Sequence, residues 1–112
     1  MLILHLIPPT LKQSTNSPHP ITITMPSQEF EAKVKAVNAL SKTPSQDDLL
    51  KLYSYYKQAT VGDNNKPERP GIFNLKDRYK WDAWEKLKGM TKEQAEEEYI
   101  ILADELIAKD SA

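Results

Sequence analysis

Between positions 53 and 57 the chain reads Tyr-Ser-Tyr-Tyr-Lys, three phenol rings and a cation in five residues. At 100° per residue, Tyr53, Tyr56 and Lys57 fall on one side of a helix. A face of hydroxyls, rings and one cation is costly to bury without partners, and it suits an anion that carries a flat ring. Lys76 and Lys80 stand one helical turn apart further along, and Tyr99 adds another ring and hydroxyl. Brought together, these six residues would supply phosphate donors and a stacking surface. Taken singly, a half-buried tyrosine is ordinarily core with its hydroxyl at the rim, and a surface lysine is ordinarily only solvated.

Catalysis has less to draw on. The two histidines are His5 and His19, far from the aromatic segment, and there is no cysteine. Neither a Ser/His/Asp nor a Cys/His constellation can be drawn in the folded part, and disulfides and thiolate metal sites are excluded. The carboxylate groups Asp47-Asp48, Glu96-Glu97-Glu98 and Asp104-Glu105 have lysines nearby. Adjacent members diverge by 100° around a helix axis, which reads as solvated faces. No metal-ligand spacing, P-loop or Gly-x-Gly-x-x-Gly occurs. The expectation is a binding protein, not an enzyme, with no cofactor or metal.

These residues need a scaffold, and 112 residues suffice for one domain of ordinary size. Composition changes sharply at Ser27: Pro8, Pro9, Pro18, Pro20 and Pro26 precede it, and every aromatic residue lies at or after Phe30. Residues 1–26 therefore read as a disordered or non-native leader, with Met25 as an alternative start, and 27–112 as the folded unit. The apolar run Leu2–Ile7 is too short to span a bilayer and ends at Pro8-Pro9, so no stable membrane insertion is expected. Lys12 is the only charged side chain before Ser27, so the folded unit carries 14 Lys+Arg against 16 Asp+Glu, within a whole-chain net charge of −1. That balance argues against nucleic acid, whose binding needs many cations over a broad surface. The absence of cysteine is compatible with a reducing cytosol.

From Ser27 onward the apolar spacing is helical. Phe30, Val34, Val37 and Leu40 follow a capping Ser27 and predict a helix over 27–41. Pro44 ends it, and Ser45 with Asp48 resembles a capping box, predicting a second helix over 46–61 with a stripe of Leu49, Leu52, Tyr53, Tyr56, Ala59 and Thr60. Tyr55 points off that stripe, to packing or surface. Gly62 suits a left-handed helix terminus. Asp63–Gly71 reads as a polar loop. A third helix over 75–88 carries Lys76, Lys80, Ala83 and Leu87 beside Trp81 and Trp84, both tryptophans read as core, one of them able to flank a groove. Gly89 closes it, and Thr91 with Gln94 forms a capping box for a fourth helix over 91–109, with Ala95, Tyr99, Leu102, Ala103 and Leu106 on one face. No segment alternates with a period of two. The fold class is all-α, and the six candidate residues converge if the second, third and fourth helices are neighbours.

The blocks Tyr53-Ser-Tyr-Tyr-Lys-Gln-Ala-Thr-Val-Gly-Asp63, Arg69-Pro-Gly71, Lys80-Trp-Asp-Ala-Trp84 and Leu87-Lys-Gly89 closely resemble the acyl-CoA-binding protein family, also called the diazepam-binding inhibitor family. The resemblance runs in collinear order from Ser27 to about Lys109. It implies a four-helix up-down-down-up bundle with a shallow bowl for medium- to long-chain fatty acyl-CoA, no catalysis, and a cytoplasmic carrier and pool former. By position, Tyr53, Lys57 and Lys80 match residues around the ligand's 3′-phosphate. Tyr56 matches a nucleotide-contacting tyrosine, Tyr99 the one near the adenosine, and Lys76 a basic position near the phosphates. Val34, Leu49 and Leu52 are candidates for the acyl-chain groove. Asn38 departs from the lysine of several members, and the loop through Asn65-Lys66-Pro67 is one residue longer than in the animal proteins. Partners implied are long-chain acyl-CoA and, transiently, acyl-CoA-using enzymes, with the protein a monomer. The rival reading is a helical protein–protein interaction module using the same aromatic and basic surface.

Overall fold

Short polar side chains open three of the four helices by replacing a backbone partner that the first turn lacks. In the computed structural model, which describes residues 27–111, Ser27 Oγ accepts from the Phe30 N–H at 3.1 Å and starts α1 (Gln28–Asn38). Ser45 Oγ accepts from the Asp48 N–H at 3.1 Å and starts α2 (Gln46–Thr60). Asp48 returns no bond to Ser45, so that box is half made; the aspartate side chain is a methylene shorter than the usual glutamate. The box of Thr91 and Gln94 is complete, with both bonds at 3.0 Å, ahead of α4 (Lys92–Ser111). Helix α3 (Leu75–Glu85) has Asn74 at its start, without a side-chain cap. The leader reading for residues 1–26, including the start at Met25, lies outside the described residues.

Two helices end earlier than their apolar spacing predicts. After Asn38 the bonds tighten, with the Ala39 N–H on Ala36 O and the Leu40 N–H on Val37 O. The Ser41 and Lys42 N–H groups then leave the helix for the Asp110 carboxylate, at 3.1 and 2.8 Å. After Glu85, the Leu87, Lys88 and Met90 N–H groups likewise bond three residues back, and periodicity alone does not distinguish such turns from α-helix. Helix α2 closes as expected: Gly62 adopts φ +102° and its N–H joins that of Val61 on Lys57 O.

Specific pairs give the helix directions. Ser27 lies beside Glu96, Lys33 beside Asp104 and Ser41 beside Asp110, so α1 and α4 run parallel. Lys80 stands over the ring of Tyr53 and Lys57 over that of Trp84, so α2 and α3 also run parallel. Gln58, near the end of α2, donates to Met90 O just before α4, which sets α2 and α4 antiparallel. The order is up-down-down-up, and the described residues hold no strand.

Helix α4 packs on α1 and α2, and α3 packs on α2 alone. Phe30, Val34 and Val37 of α1, Leu52, Tyr56 and Ala59 of α2, and Ala95, Tyr99, Ala103 and Leu106 of α4 make one core. Phe30 lies nearly parallel to Tyr56, centroids 6.0 Å apart, and meets Tyr99 edge-on at 5.1 Å. Tyr55 is half-buried against this core, in keeping with a packing role.

Candidate functional site

Because α3 touches only α2, the third and fourth helices are not neighbours, and the six candidate residues divide into two groups on either side of α2. On the α3 side, Lys80 Nζ stands 5.3 Å from the Tyr53 ring centroid and Lys57 Nζ 5.1 Å from that of Trp84. On the α4 side, Tyr56 and Tyr99 lie with their centroids 6.5 Å apart inside the core. Lys76 belongs to neither group: it is exposed on the first turn of α3.

The α2–α3 side is an open cleft of about 150 Å³, lined by Tyr53, Lys66, Pro70, Asp77, Lys80, Trp81 and Trp84. The loop after α2 is fastened over it. Arg69 grips Asp82 with two hydrogen bonds of 2.8 and 2.6 Å, and the Trp81 indole N–H donates to Lys66 O at 3.1 Å. The Trp84 indole N–H donates to Gly62 O at 2.8 Å. Of the two tryptophans read as core, Trp84 is buried, whereas Trp81 is half-exposed and forms a wall of the cleft.

Charge is unbalanced here. Among the described residues the ion pairs are Lys33–Asp104, Arg69–Asp82 and Lys88–Glu85, and none includes Lys57, Lys66, Lys76 or Lys80. Burial draws the Lys57 ammonium below its usual 10.5, and the nearby positive charge of Lys66 lowers it further. An anion placed between these cations would offset both effects.

The core group has the opposite chemistry. The Tyr56 and Tyr99 hydroxyls are buried with no hydrogen-bond partner. Burial, with a smaller push from Glu31, raises the Tyr56 hydroxyl to about 12; burial, then Tyr56, raises that of Tyr99. Of the acyl-groove candidates, Val34 and Leu52 are core residues, and Leu49 is buried outside that cluster. Asn38 donates to Val34 O on its own helix at 2.9 Å.

Periodicity did not bring forward Gln58, Asp63, Lys66 or Pro70. Gln58 is fully buried and donates to Asp63 Oδ1 and Met90 O, while the Gly89 N–H donates to the same Asp63 oxygen. This knot joins the end of α2, the loop and the entry to α4 behind Lys57. An amide on a helix ordinarily reads as solvated, so no signal in the local sequence marks it. Asp63 follows Gly62, and that place at a helix terminus is its only mark in the sequence.

The fold is thus a small all-α bundle with an unpaired-cation cleft between two parallel helices. A family model described as Acyl CoA binding protein matches residues 27–103. Over 88 residues the chain is 67% identical to the acyl-CoA-binding protein of Saccharomyces cerevisiae, covering 79% of this chain and 100% of that one. Acyl-CoA-binding protein homolog 1 of Caenorhabditis elegans is 47% identical over 83 residues, 74% of this chain and 95% of its own length. The crystal structure of Oryza sativa acyl-CoA-binding protein 2 superposes with a TM-score of 0.71 at 50% identity, covering 75% of this chain and 90% of that one. The solution structure of an acyl coenzyme A binding protein from yeast gives a TM-score of 0.63 at 66% identity, covering 76% of this chain and 98% of that one. The chain belongs to the acyl-CoA-binding protein family.

Proposed function

We propose that this chain binds medium- to long-chain fatty acyl-CoA and serves as a non-catalytic carrier and pool former in the cytoplasm. On this reading it works as a monomer, meets acyl-CoA-using enzymes transiently, and uses residues 27–112 as the binding unit. The observation that carries the reading is the pair of aligned cation–ring contacts, Lys57 on Trp84 and Lys80 on Tyr53, beside a cleft whose lining lysines form no ion pair among the described residues. Family membership makes the anion an acyl-CoA, and does not favour the alternative of a protein–protein interaction module.

Tyr53, Lys57 and Lys80 take the 3′-phosphate, with Lys76 and the neighbouring Lys66 adding positive potential. A charge-assisted hydrogen bond contributes about 1.5 to 3 kcal/mol. Tyr56 and Tyr99 are assigned to the nucleotide by their positions in the family; both rings are packed in the core, so they support the nucleotide from behind, through the helix that carries Tyr53 and Lys57. The cleft is smaller than the roughly 300 to 1,000 Å³ of ordinary ligand pockets, so much of the ligand lies across the surface. The acyl chain is assigned to the neighbourhood of Val34, Leu49 and Leu52. Each covered methylene adds about 0.8 kcal/mol, so affinity rises with chain length.

Calorimetry with palmitoyl-CoA, free CoA and free palmitate tests the reading. Palmitoyl-CoA should bind far more tightly than either fragment, because only it engages both the cations and the apolar surface. Equal affinity for palmitate would sink the proposal.

A further inference from the structure

Four of the six large apolar side chains that stand exposed among the described residues lie between positions 72 and 79. Ile72, Phe73, Leu75 and Tyr79 are 63, 94, 52 and 48% exposed. Val61 and Ile101, the other two, lie apart from them in the sequence. Ile72 and Phe73 fill the two middle places of the tight turn closed by the Asn74 N–H on Gly71 O at 3.0 Å. Turns ordinarily give such places to glycine, proline, asparagine, aspartate or serine. Leu75 and Tyr79 continue along one row of α3, a helical turn apart. None of the four belongs to the core cluster or lines the cleft, so neither packing nor the proposed phosphate site accounts for them.

The ridge is held in shape. Arg78 donates to Pro70 O at 3.1 Å, and the Arg69–Asp82 pair fixes the preceding loop to α3. It is also edged with cations. With Arg69 neutralised by Asp82, residues 66–80 keep Lys66, Lys76, Arg78 and Lys80 against Glu68 and Asp77, on a chain whose net charge is −1; Lys66 and Lys80 also line the neighbouring cleft, whereas Lys76 and Arg78 do not. Two copies meeting ridge to ridge would bring like charges together. A convex apolar wedge flanked by lysines instead matches a fluid interface that closes around it, with anionic headgroups for the cations.

We propose that the Ile72–Phe73 turn and the first turn of α3 dock the chain peripherally on an anionic lipid bilayer. Phe73 and Ile72 enter the boundary between headgroups and acyl chains, and Lys76 and its neighbours stay at headgroup level. So few side chains give a reversible contact, not an anchor. The inference goes beyond ligand binding and is tested without acyl-CoA.

The probe is vesicles of phosphatidylcholine, with and without phosphatidylserine, sedimented with the ligand-free chain. Binding should be about tenfold stronger on the anionic vesicles, given the potential that each surface cation feels there. Ile72→Ser with Phe73→Ser should cut it about tenfold or more by removing the apolar wedge; circular dichroism should be unchanged, because both side chains are exposed. The chain has no cysteine, and the Asn74 side chain caps nothing, so Asn74→Cys takes a single environment-sensitive fluorophore. Its emission should shift to the blue on anionic vesicles, and that of the same label at Glu97→Cys on α4 should not. Equal sedimentation of the double serine variant, no binding to anionic vesicles, or a shift at position 97 alone would overturn the proposal. Self-association without vesicles that the double variant abolishes would assign the ridge to a second copy and overturn it equally.

Discussion

The two sides of α2 solve opposite problems with the same residue types. Toward α1 and α4, tyrosines serve as packing: Phe30, Tyr56 and Tyr99 form a buried aromatic group with no lysine in the cluster. Toward α3, Tyr53 serves as a platform for Lys80, and Trp84 for Lys57, at the edge of an open cleft. A tyrosine is therefore not informative by type. What separates the two regions is whether a neighbouring helix covers the ring or supplies a cation to it.

The strongest test of that division lies in the core. Phe30→Ala should destabilise the fold by about 3 to 5 kcal/mol, because it leaves a cavity between Tyr56 and Tyr99. Chemical denaturation measures it, and a loss below about 1 kcal/mol would mean that the aromatic group is not the centre of the core. Next in size, Lys57→Ala or Lys80→Ala should weaken palmitoyl-CoA binding by about 1 to 3 kcal/mol while the melting curve barely moves. A large loss of stability with unchanged affinity would place these lysines with the structural side.

Alkaline pH should separate the regions more finely. The folded Tyr56 and Tyr99 hydroxyls titrate above their ordinary 10.0, Tyr56 at about 12. Above pH 10 the folded chain holds protons that the unfolded chain has lost, so these groups lower stability as pH rises from 10 toward about 12. Lys57 has the opposite sign. Its folded pKa lies below 10.5, so it raises stability as pH climbs through the window just under that value. Melting temperatures across the alkaline range should therefore fall in the wild type and fall less in Tyr99→Phe. Identical profiles for the two would show that the Tyr99 hydroxyl does not titrate differently on folding.

Within single helices the sequence was easy to read. Ser27, Ser45 and Thr91 open helices, and Gly62 closes one, because capping depends on residues three to five places away. The pairing between helices was harder. The Lys80–Tyr53 and Lys57–Trp84 contacts depend on α3 lying parallel to α2, which a helix's own periodicity does not encode. Tyr99 partners Lys80 only if α3 and α4 are neighbours, and α2 stands between them. Trp81 and Trp84 share a helical face on paper, yet the loop over Lys66 leaves one of them on the rim.

The parallel fastening of α1 to α4 has a bearing on how the chain is made. Ser27, Lys33 and Ser41 all find their partners in Glu96, Asp104 and Asp110, and α1 packs against no other helix backbone. A ribosome releases the amino-terminal part of a domain first, so α1 emerges before α4, with only Tyr56 and its core neighbours on α2 to meet its apolar face. Of the four described helices, the one made first gains these polar partners only once the last turns of α4 have left the exit tunnel.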